Sequence, residues 1–414
     1  MTTKLEVTDV FTPRNSNVNL NMYIHRPELE KSLLRSVKRN THTLVFGESG
    51  NGKSWLYKKV LDENNIPYVV VNCANASRRN SITEVIYESI IPPGTAQKLG
   101  YDEDKKAEVN AVFAKGALNH SAKYELSQEE PLLRAFKHFN SLHSQKKIIV
   151  LDNLESIFDS AELMDELANI IILLDDSAYS ENNVNLLIVG VPNDVLHYYR
   201  ATKNLESVAN RITEARKVES LDFQQVYHLI KKGFELLEID ILGPDLMKLT
   251  THIYSVTLGI AQRVHEYGEH LAYAIQDNDG IYETKLIENT DFNWLIESFR
   301  QTYQVIEEHL NSRETTVARR NQVIFCIAKI MQHQFDSNDV ERLIREEFPE
   351  TIANTNMGIG AILATLSRGE KPLLNRNSKN NNYSVRDARY IMCIKLMLSK
   401  KEDSSGVSQR KLQR

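Results

Sequence analysis

The fold is decided by one short stretch, Gly47-Glu48-Ser49-Gly50-Asn51-Gly52-Lys53-Ser54, which fits the phosphate-loop pattern G-x-x-x-x-G-K-[ST] in full. An apolar run at residues 43–46 precedes this loop, and residues 54–61 follow it with helical spacing. Such a loop turns its backbone N–H groups inward at the N-terminus of a helix, where they bind phosphate oxygens. The pattern predicts that Lys53 reaches the β- and γ-phosphates and that the Ser54 hydroxyl binds Mg²⁺.

Three further apolar runs extend this beginning into a sheet. They lie at residues 67–72, 147–151 and 185–190, and helical stretches separate them. Near-continuous apolar strands of this length are typical of a parallel sheet that is covered on both faces. The sequence therefore predicts an α/β fold, a P-loop NTPase αβα sandwich, over residues 1–220. Residues 92–130 interrupt the pattern, and either an inserted hairpin or a mobile loop fits them.

The pattern becomes helical after residue 220. Apolar residues at three- and four-residue spacing predict a helical lid over residues 221–290. Residues 291–399 predict three helices followed by a β-hairpin, which is the element order of a winged helix. The three helices and the two hairpin strands are expected at residues 321–331, 336–348, 357–367, 372–376 and 382–385. Residues 400–414 are polar and charged, and we expect a disordered basic tail there.

A phosphate site of this kind needs a carboxylate that holds the metal at the end of a neighbouring strand. Asp152 follows the run at 147–151 directly and fits this role, which is the Walker B position. Hydrolysis also needs a carboxylate that polarises the attacking water. Asn153 follows Asp152, so the first acidic residue beyond it is Glu155. Glu155 is either the catalytic base or a solvated residue that the dipole of a helix start stabilises.

With these motifs in this order, residues 20–400 resemble the AAA+ ATPases. The similar group comprises origin-recognition and initiator ATPases, transposition-regulator ATPases and STAND-like relatives. In that group, a segment like residues 23–30 wraps the adenine. The resemblance implies that the chain binds ATP and Mg²⁺, with Ser54 and Asp152 on the metal. The nucleotide-binding residues that it implies are Ile24, His25, Arg26, Gly47, Glu48, Ser49, Gly50, Asn51, Gly52, Lys53, Ser54 and Trp55.

The resemblance also implies three polar residues close to the γ-phosphate. Asn193, in the turn after the fourth strand, matches the sensor-1 position, although Asn-Asp pairs also form plain turns. Arg211 matches the arginine finger that acts on the nucleotide of a neighbouring subunit, and Arg216 is a second candidate. Either arginine also fits an ordinary surface position. Arg263 matches the sensor-2 arginine of the lid, where a Gly followed by Arg on a helix is a common pattern.

The net charge of −5 hides an uneven distribution. Residues 360–414 contain twelve basic and four acidic residues and carry +8, so the rest of the chain carries −13. A basic end on an acidic body fits a small phosphate-contacting surface. The helix expected at 357–367 has no Arg, Lys, Asn or Gln that could read a base edge. We therefore expect either contact between the wing and the DNA backbone, or a winged helix that binds protein. The wing residues for DNA contact are Arg368, Lys371, Arg376 and Lys379.

Composition narrows the setting. The chain has 414 residues, of which 42% are hydrophobic and 25% charged, as in ordinary globular proteins. Its longest apolar run, at residues 170–174, is far too short to cross a bilayer. The N-terminus shows no signal peptide. Three widely spaced cysteines fit neither a disulfide framework nor a metal cluster, so a reducing, cytoplasmic setting without membrane contact is expected.

Three functions remain open at this point. The first is an ATP-hydrolysing AAA+ switch that forms homo-oligomers through its nucleotide interface and controls a DNA-associated assembly. Such a switch fits replication, transposition or mobile-element and antiviral defence, with slow hydrolysis coupled to assembly. The second is a STAND-like signalling ATPase whose winged helix binds a protein effector. The third is a nucleotide-binding protein with negligible turnover. The sequence contains no nuclease, protease, TIR or deaminase constellation, so any effector activity would belong to a partner enzyme.

Overall fold

The computed structural model describes residues 5–91, 130–190, 208–311, 317–330, 332–352, 357–377, 379–403 and 406–412. The chain forms two compact units. The sheet unit comprises Asn15–Val18 and His25–Glu219. The helical unit comprises Met1–Arg14, Asn19–Ile24 and Ser220–Arg414. Helices and strands are numbered below in chain order within the described ranges.

A five-stranded parallel sheet forms the centre of the sheet unit. Its strands are β1 His42–Phe46, β2 Tyr68–Asn72, β3 Lys147–Asp152, β4 Val184–Gly190 and β5 Ile212–Glu214. They lie in the order β2-β3-β4-β1-β5, and every neighbouring pair is parallel. The four predicted strands and the parallel sheet are confirmed. The sequence does not predict β5, because this short edge strand is only partly buried and forms no apolar run.

Helices cover the sheet on both faces. Alternate residues of each strand pack into two separate cores, so that Leu186 and Ile188 enter one core and Leu187 and Val189 the other. This burial on both faces explains the near-continuous apolar runs. The helices of the unit are α2 Pro27–Lys38, α3 Lys53–Glu63, α4 Cys73–Arg79, α5 Ile82–Ile90, α6 Pro131–Leu142, α7 Ala161–Leu173 and α8 Ser177–Ser180, with a 3-10 helix at Leu154–Ile157.

Residues 92–130, which fit either an inserted hairpin or a mobile loop, lie outside the described residues, apart from Glu130. That residue caps α6, because its carboxylate accepts the N–H of Leu133 at 2.8 Å. A buried lysine closes the other end of this helix. Lys147 is 0% exposed, and its ammonium donates to the Asn140 side chain and to the carbonyls of His143 and Gln145.

Four long helices begin the main part of the helical unit: α9 Phe223–Leu236, α10 Gly243–Thr257, α11 Ala261–Gln276 and α12 Leu286–His309. Residues 243–274 belong to two helices, α10 and α11. Leu258 and Gly259 have φ angles of 57° and 66°, which end α10, and α11 begins anew at Ala261. The predicted boundary of a lid at residue 290 remains a prediction, since residues on both sides of it share one apolar core.

The C-terminal part contains the predicted three helices and hairpin. They are α13 Arg319–Ile327, α14 Ser337–Glu347, α15 Ile359–Leu366, β6 Leu374–Arg376 and β7 Tyr383–Val385, and β6 and β7 pair antiparallel. Phe335, between α13 and α14, forms a further bridge to Tyr383. Helix α16 Ala388–Met397 follows, and a 3-10 turn at Pro349–Thr351 lies between α14 and α15.

The expectation of a disordered tail over residues 400–414 is wrong. Strands β8 Leu398–Lys400 and β9 Val407–Gln409 form an antiparallel hairpin directly after α16. The Gln409 side chain donates to the Tyr303 hydroxyl at 2.7 Å, and that hydroxyl donates to the Arg410 carbonyl at 3.2 Å. Contacts with a distant helix thus order a segment whose own composition is polar.

The N-terminus packs into the helical unit, whereas the sequence pattern predicts one domain over residues 1–220. Helix α1 Val7–Val10 leads to Phe11, which is 0% exposed. A Cβ at Gly233 or at Gly268 would lie 2.5 or 2.4 Å from the Phe11 ring, so the missing side chains make room for it. No sequence pattern predicts this notch, because Phe11 lies more than 200 positions before both glycines. None of the helices within the described ranges has the length and apolar character that crossing a membrane requires.

Candidate functional site

The phosphate loop lies between the carboxyl end of β1 and the start of α3. Gly50 and Gly52 have φ angles of 84° and 86°, a conformation that side-chain-bearing residues adopt only under strain. Two hydrogen bonds fix the loop from outside. The Asn51 side chain donates to the Val218 carbonyl at 3.1 Å, and the Arg26 guanidinium donates to the Asn51 carbonyl at 3.2 Å. Asn51 thus ties the loop to Arg26, before α2, and to Val218, after β5.

Lys53 is the first residue of α3, and its side chain turns back over the loop. Its Nζ donates to the carbonyl oxygens of Gly47 at 2.7 Å and Glu48 at 3.0 Å. Burial lowers the pKa of the Lys53 ammonium below its ordinary value, while the nearby carboxylates of Glu155, Asp152 and Glu48 oppose that shift. The cation is thus partly desolvated and close to an anion-binding loop.

Asp152 ends β3 and meets α3 through two hydroxyl groups. Its Oδ2 accepts from Ser54 Oγ at 3.2 Å and from the Tyr57 hydroxyl at 3.1 Å, and its Oδ1 accepts the Asn153 N–H at 2.9 Å. The structure therefore brings together Ser54 and Asp152, the two residues that the sequence analysis places on a metal.

Tyr57 is a residue that the sequence analysis missed. It is 0% exposed, and burial together with the Asp152 carboxylate raises the pKa of its hydroxyl far above the ordinary value. The hydroxyl therefore stays protonated and acts as a donor to Asp152. One signal was available, because Tyr57 follows Ser54 by three positions and so shares its face of α3.

Asn153 and Glu155 follow Asp152 in a tight turn. Asn153 has a φ of 59°, and its side-chain amide donates to Asn72 at the end of β2 over 3.3 Å. Glu155 lies in the 3-10 helix Leu154–Ile157 and is exposed. Its carboxylate is close enough to Lys53 to act on the pKa of that ammonium.

The segment before α2 reaches the loop through Arg26. Its guanidinium bonds the carbonyls of Asn51 and Glu219, both at 3.2 Å. His25 is exposed and lies 3.6 Å from the Glu30 carboxylate, with which it pairs when protonated. Ile24 is half-buried and packs against the core of the helical unit. Trp55 donates its indole N–H to the Asn15 carbonyl at 2.9 Å.

Arg211 lies at the other edge of the sheet, immediately before β5. Its Nε donates to Asp175 Oδ2 at 2.6 Å. Arg216 follows β5 and lies 3.8 Å from the Glu28 carboxylate on α2. Asn193 lies outside the described residues.

Arg263 belongs to the first turn of α11 in the helical unit. Its guanidinium donates to Glu266 at 2.5 Å and lies 5.5 Å from the centre of the Phe299 ring. Its assignment as a sensor-2 arginine stays a prediction. The four predicted wing residues are exposed around the β6–β7 hairpin. Among them, Lys371 lies 3.4 Å from the Glu308 carboxylate, and Arg376 donates to Asn381 at 2.8 Å. The other two are Arg368 and Lys379.

Residues 35–198 match the family model described as AAA domain. No curated protein sequence matches the chain. Among solved structures, a Walker-type ATPase of Pyrococcus abyssi is similar with a TM-score of 0.52 at 16% identity, over 90% of this chain and 96% of that one. The ORC2 protein of Aeropyrum pernix in its ADP form gives 0.48 at 12% identity, over 94% and 96%. Cdc6p of Pyrobaculum aerophilum gives 0.45 at 14% identity, over 94% and 98%. The first likeness, together with the parallel sheet and the phosphate loop, assigns the P-loop NTPase fold to the sheet unit.

Proposed function

We propose that this chain binds ATP with Mg²⁺ at the phosphate loop and hydrolyses it to ADP and phosphate. The observation that carries the proposal is the hydrogen bond of 3.2 Å between Ser54 and Asp152, next to the desolvated Lys53 ammonium. A hydroxyl and a carboxylate are oxygen ligands of the kind that Mg²⁺ takes beside nucleotide phosphates. Ser54 and Asp152 would hold the ion, which neutralises charge on the phosphate oxygens when bound.

Hydrolysis in this site is slow. Asn153 stands directly after Asp152 and has no carboxylate that could take a proton from water. Glu155 is the nearest acidic residue along the chain, and it acts on the pKa of Lys53. We assign to Glu155 the role of the general base that accepts the proton of the attacking water. Its position on an exposed 3-10 turn leaves the carboxylate solvated, which weakens it as a base.

A second copy of the chain supplies a further cation, Arg211, to the site. Arg211 precedes β5, whose first residue pairs with His42 at the start of β1, whereas the phosphate loop follows the end of β1. Five strand residues separate the two edges by about 15 Å. An arginine side chain cannot cover that distance, so Arg211 cannot reach the loop of its own chain. The half-buried Arg211 lies at the edge that faces away from its own loop, and contact with the nucleotide of a neighbour would couple turnover to assembly.

The test is ATP turnover per chain as a function of protein concentration, for the wild type and Arg211→Ala. We expect turnover per chain to rise with concentration in the wild type and to stay at a low, constant level in the variant. ATP affinity should be unchanged, because Arg211 is far from its own loop. Turnover that does not depend on concentration, or that Arg211→Ala leaves intact, contradicts catalysis between copies.

We further propose that the C-terminal part is a winged helix that contacts the DNA backbone, which makes the ATPase a switch on a DNA-associated assembly. Three helices and an antiparallel hairpin stand in the required order. Arg368, Lys371, Arg376 and Lys379 are exposed on and beside that hairpin. Cations at such positions bind phosphates without reading sequence.

A second candidate is a winged helix that binds a protein effector. It is favoured by α15, whose exposed residues are Gly360, Ala361 and Thr365, with no long side chain for a base edge. Salt dependence separates the two candidates. DNA affinity should fall steeply with salt, and Arg376→Gln with Lys379→Gln should reduce the slope of log affinity against log salt by about 2. The matched control is Lys31→Gln with Lys38→Gln on α2. Binding that is absent or insensitive to salt favours the protein effector.

A further inference from the structure

A groove runs between α11 and α12 of the helical unit. Its volume is about 680 Å³, and it is lined by residues of these two helices and of the loop that joins them. That loop, at residues 277–285, connects the end of α11 to the start of α12. His270 Nε2 on α11 lies 3.8 Å from Glu297 Oε2 on α12, so the two helices pack antiparallel. One continuous stretch of chain thus forms the whole groove.

Two facing rows of side chains line this groove, each with a spacing of four residues. The rows are Glu269, Tyr273 and Asp277 along and at the end of α11, and Asn289, Asn293 and Glu297 along α12. Side chains four positions apart lie on the same face of a helix. Each row covers eight positions, or about 12 Å at 1.5 Å per residue. The groove therefore offers polar groups over the length of about two helical turns.

Negative charge is in excess within the first row. The side chains of Glu269 and Asp277 form neither a hydrogen bond nor an ion pair with any described residue. Glu269 is half-buried, and its burial together with the carboxylates of Glu266 and Glu297 raises its pKa above the ordinary value. Like charges this close repel one another, so the ionised Glu269 opposes folding. A cation from outside the chain would relieve that repulsion.

An aromatic ring lies between the two carboxylates of the α11 row. Tyr273 is 45% exposed, although a large ring gains by burial. A guanidinium can stack on such a ring and also bind a carboxylate through two parallel hydrogen bonds, whereas an ammonium lacks this planar fork. Lys285 also lines the groove, but its ammonium forms an ion pair with Glu283. The groove is thus better suited to arginine than to lysine.

We propose that this groove is a docking surface for a helical segment of a partner protein that carries arginines four residues apart. Charge complementarity selects the occupant, because the unpaired carboxylates attract cations and repel the phosphates of DNA. Arginines at positions i, i+4 and i+8 of a helix span the same 12 Å as the row of Glu269, Tyr273 and Asp277. The inference stands apart from the proposed ATPase, since no residue of the groove belongs to the phosphate loop.

A synthetic peptide tests the proposal with the full chain. The probe is an alanine-based helix with three arginines at four-residue spacing, and the same peptide with three lysines is its control. Calorimetric titration should show saturable binding that is at least five-fold tighter for the arginine peptide. Glu269→Gln with Glu297→Gln should weaken it about ten-fold, since two charged contacts are lost. Tyr273→Leu should weaken it about three-fold through the loss of stacking.

The matched control variant is Glu235→Gln with Glu288→Gln. It removes two exposed charges of the same unit that do not line the groove, and it should bind the arginine peptide within about two-fold of the wild type. An arginine peptide that fails to bind, that binds no tighter than the lysine peptide, or that both double variants weaken equally overturns the proposal.

Two further measurements separate the remaining alternatives. Sedimentation compares the wild type with Glu269→Gln/Glu297→Gln. Self-association that the two substitutions abolish would assign the groove to a second copy and overturn docking of a separate partner. Thermal unfolding of Glu269→Gln should occur at or above the wild-type temperature, because the substitution removes a repulsive charge. A lower unfolding temperature would show that the Glu269 carboxylate stabilises the fold, and it would overturn the charge excess on which the proposal depends.

Discussion

The two edges of the central sheet are built in different ways. At the carboxyl edge, the loop and Lys53 come from one continuous stretch, and Ser54 meets Asp152 across neighbouring elements. At the amino edge, the Arg211–Asp175 pair joins residues that are 36 positions apart, and the bond from Leu186 to His42 spans 144 positions. The first edge can therefore be recognised from a motif, whereas the second exists only once the chain has folded.

The difference has a functional consequence. The carboxyl edge concentrates the groups that we propose to bind phosphate and metal, and the amino edge carries the half-buried Arg211. Because the strands run parallel, all loops that follow strands lie at one edge and all residues that precede strands lie at the other. A parallel sheet thus separates the two halves of the proposed catalytic site by the length of its strands. Stacking one copy on the next is the direct way to join them.

Loss of Lys53 is expected to have the largest effect on the carboxyl edge. Lys53→Ala removes the only side chain of the loop that carries a positive charge, and a charged hydrogen bond to phosphate contributes about 1.5–3 kcal/mol. Two such bonds correspond to a loss of ATP affinity of about 1,000-fold, or about 4 kcal/mol. Calorimetric titration with ATP and Mg²⁺ measures it.

The matched control removes the same charge from the same helix. Lys58 lies on α3, and its ammonium donates to the Ser16 carbonyl and not to the loop. The control variant is Lys58→Ala. It should bind ATP within about two-fold of the wild type. If both variants lose ATP affinity equally, the total positive charge of α3 governs binding and not the position of Lys53 in the loop. The contrast between the two edges then weakens.

A fall in pH is expected to destabilise the amino edge, because it protonates His42. Burial lowers the pKa of this imidazole from its ordinary 6.5 to about 4. Between these values the unfolded chain binds a proton that the folded chain excludes, so stability is fully present above pH 6.5 and falls as the pH drops toward 4. The shift corresponds to a loss of about 3 kcal/mol. Hydrogen exchange of the Leu186 amide, which donates to His42, measures the local opening at each pH.

A second buried histidine provides the comparison within the same molecule. His265 of the helical unit accepts the Thr12 N–H at 3.2 Å, and burial lowers its pKa to about 4 as well. His42→Asn keeps an acceptor and cannot titrate. In this variant, opening at Leu186 should depend far less on pH between 4 and 6.5, while opening at Thr12 keeps its dependence. If opening at the two amides depends equally on pH in this variant, acid destabilises the molecule as a whole and does not act through His42.

Sequence reasoning recovered the carboxyl edge because its signals are local. A glycine pattern, an apolar run and a terminal Asp152 each occupy a few consecutive residues. The sequence does not predict β5, the contact of Asp175 or the contacts of His42. The partners of these two side chains lie 36 and 144 positions away and meet them only in the folded chain. The hairpin at β8 and β9 was missed for the same reason, since Tyr303 on a distant helix anchors its last strand.

Removal of one hydroxyl group is expected to have the smallest effect, again at the carboxyl edge. Tyr57→Phe deletes the donor to Asp152 Oδ2 and keeps the ring, which packs edge-on against Tyr68 at 6.4 Å between ring centres. A hydrogen bond to a charged carboxylate contributes about 1.5–3 kcal/mol. The Mg²⁺ concentration that half-saturates ATP binding should therefore rise about ten-fold, because Asp152 is less firmly oriented.

Tyr68→Phe is the control for this change, since it removes a hydroxyl from the same aromatic pair whose hydrogen bond goes to Asp62. It should leave the Mg²⁺ dependence as in the wild type, and both variants should bind ATP alike at saturating Mg²⁺. A Tyr57→Phe protein that needs no more Mg²⁺ than the wild type would show that Ser54 and the Asn153 N–H suffice to orient Asp152. The carboxyl edge would then depend on its motif residues alone, and the contrast with the amino edge would be sharper still.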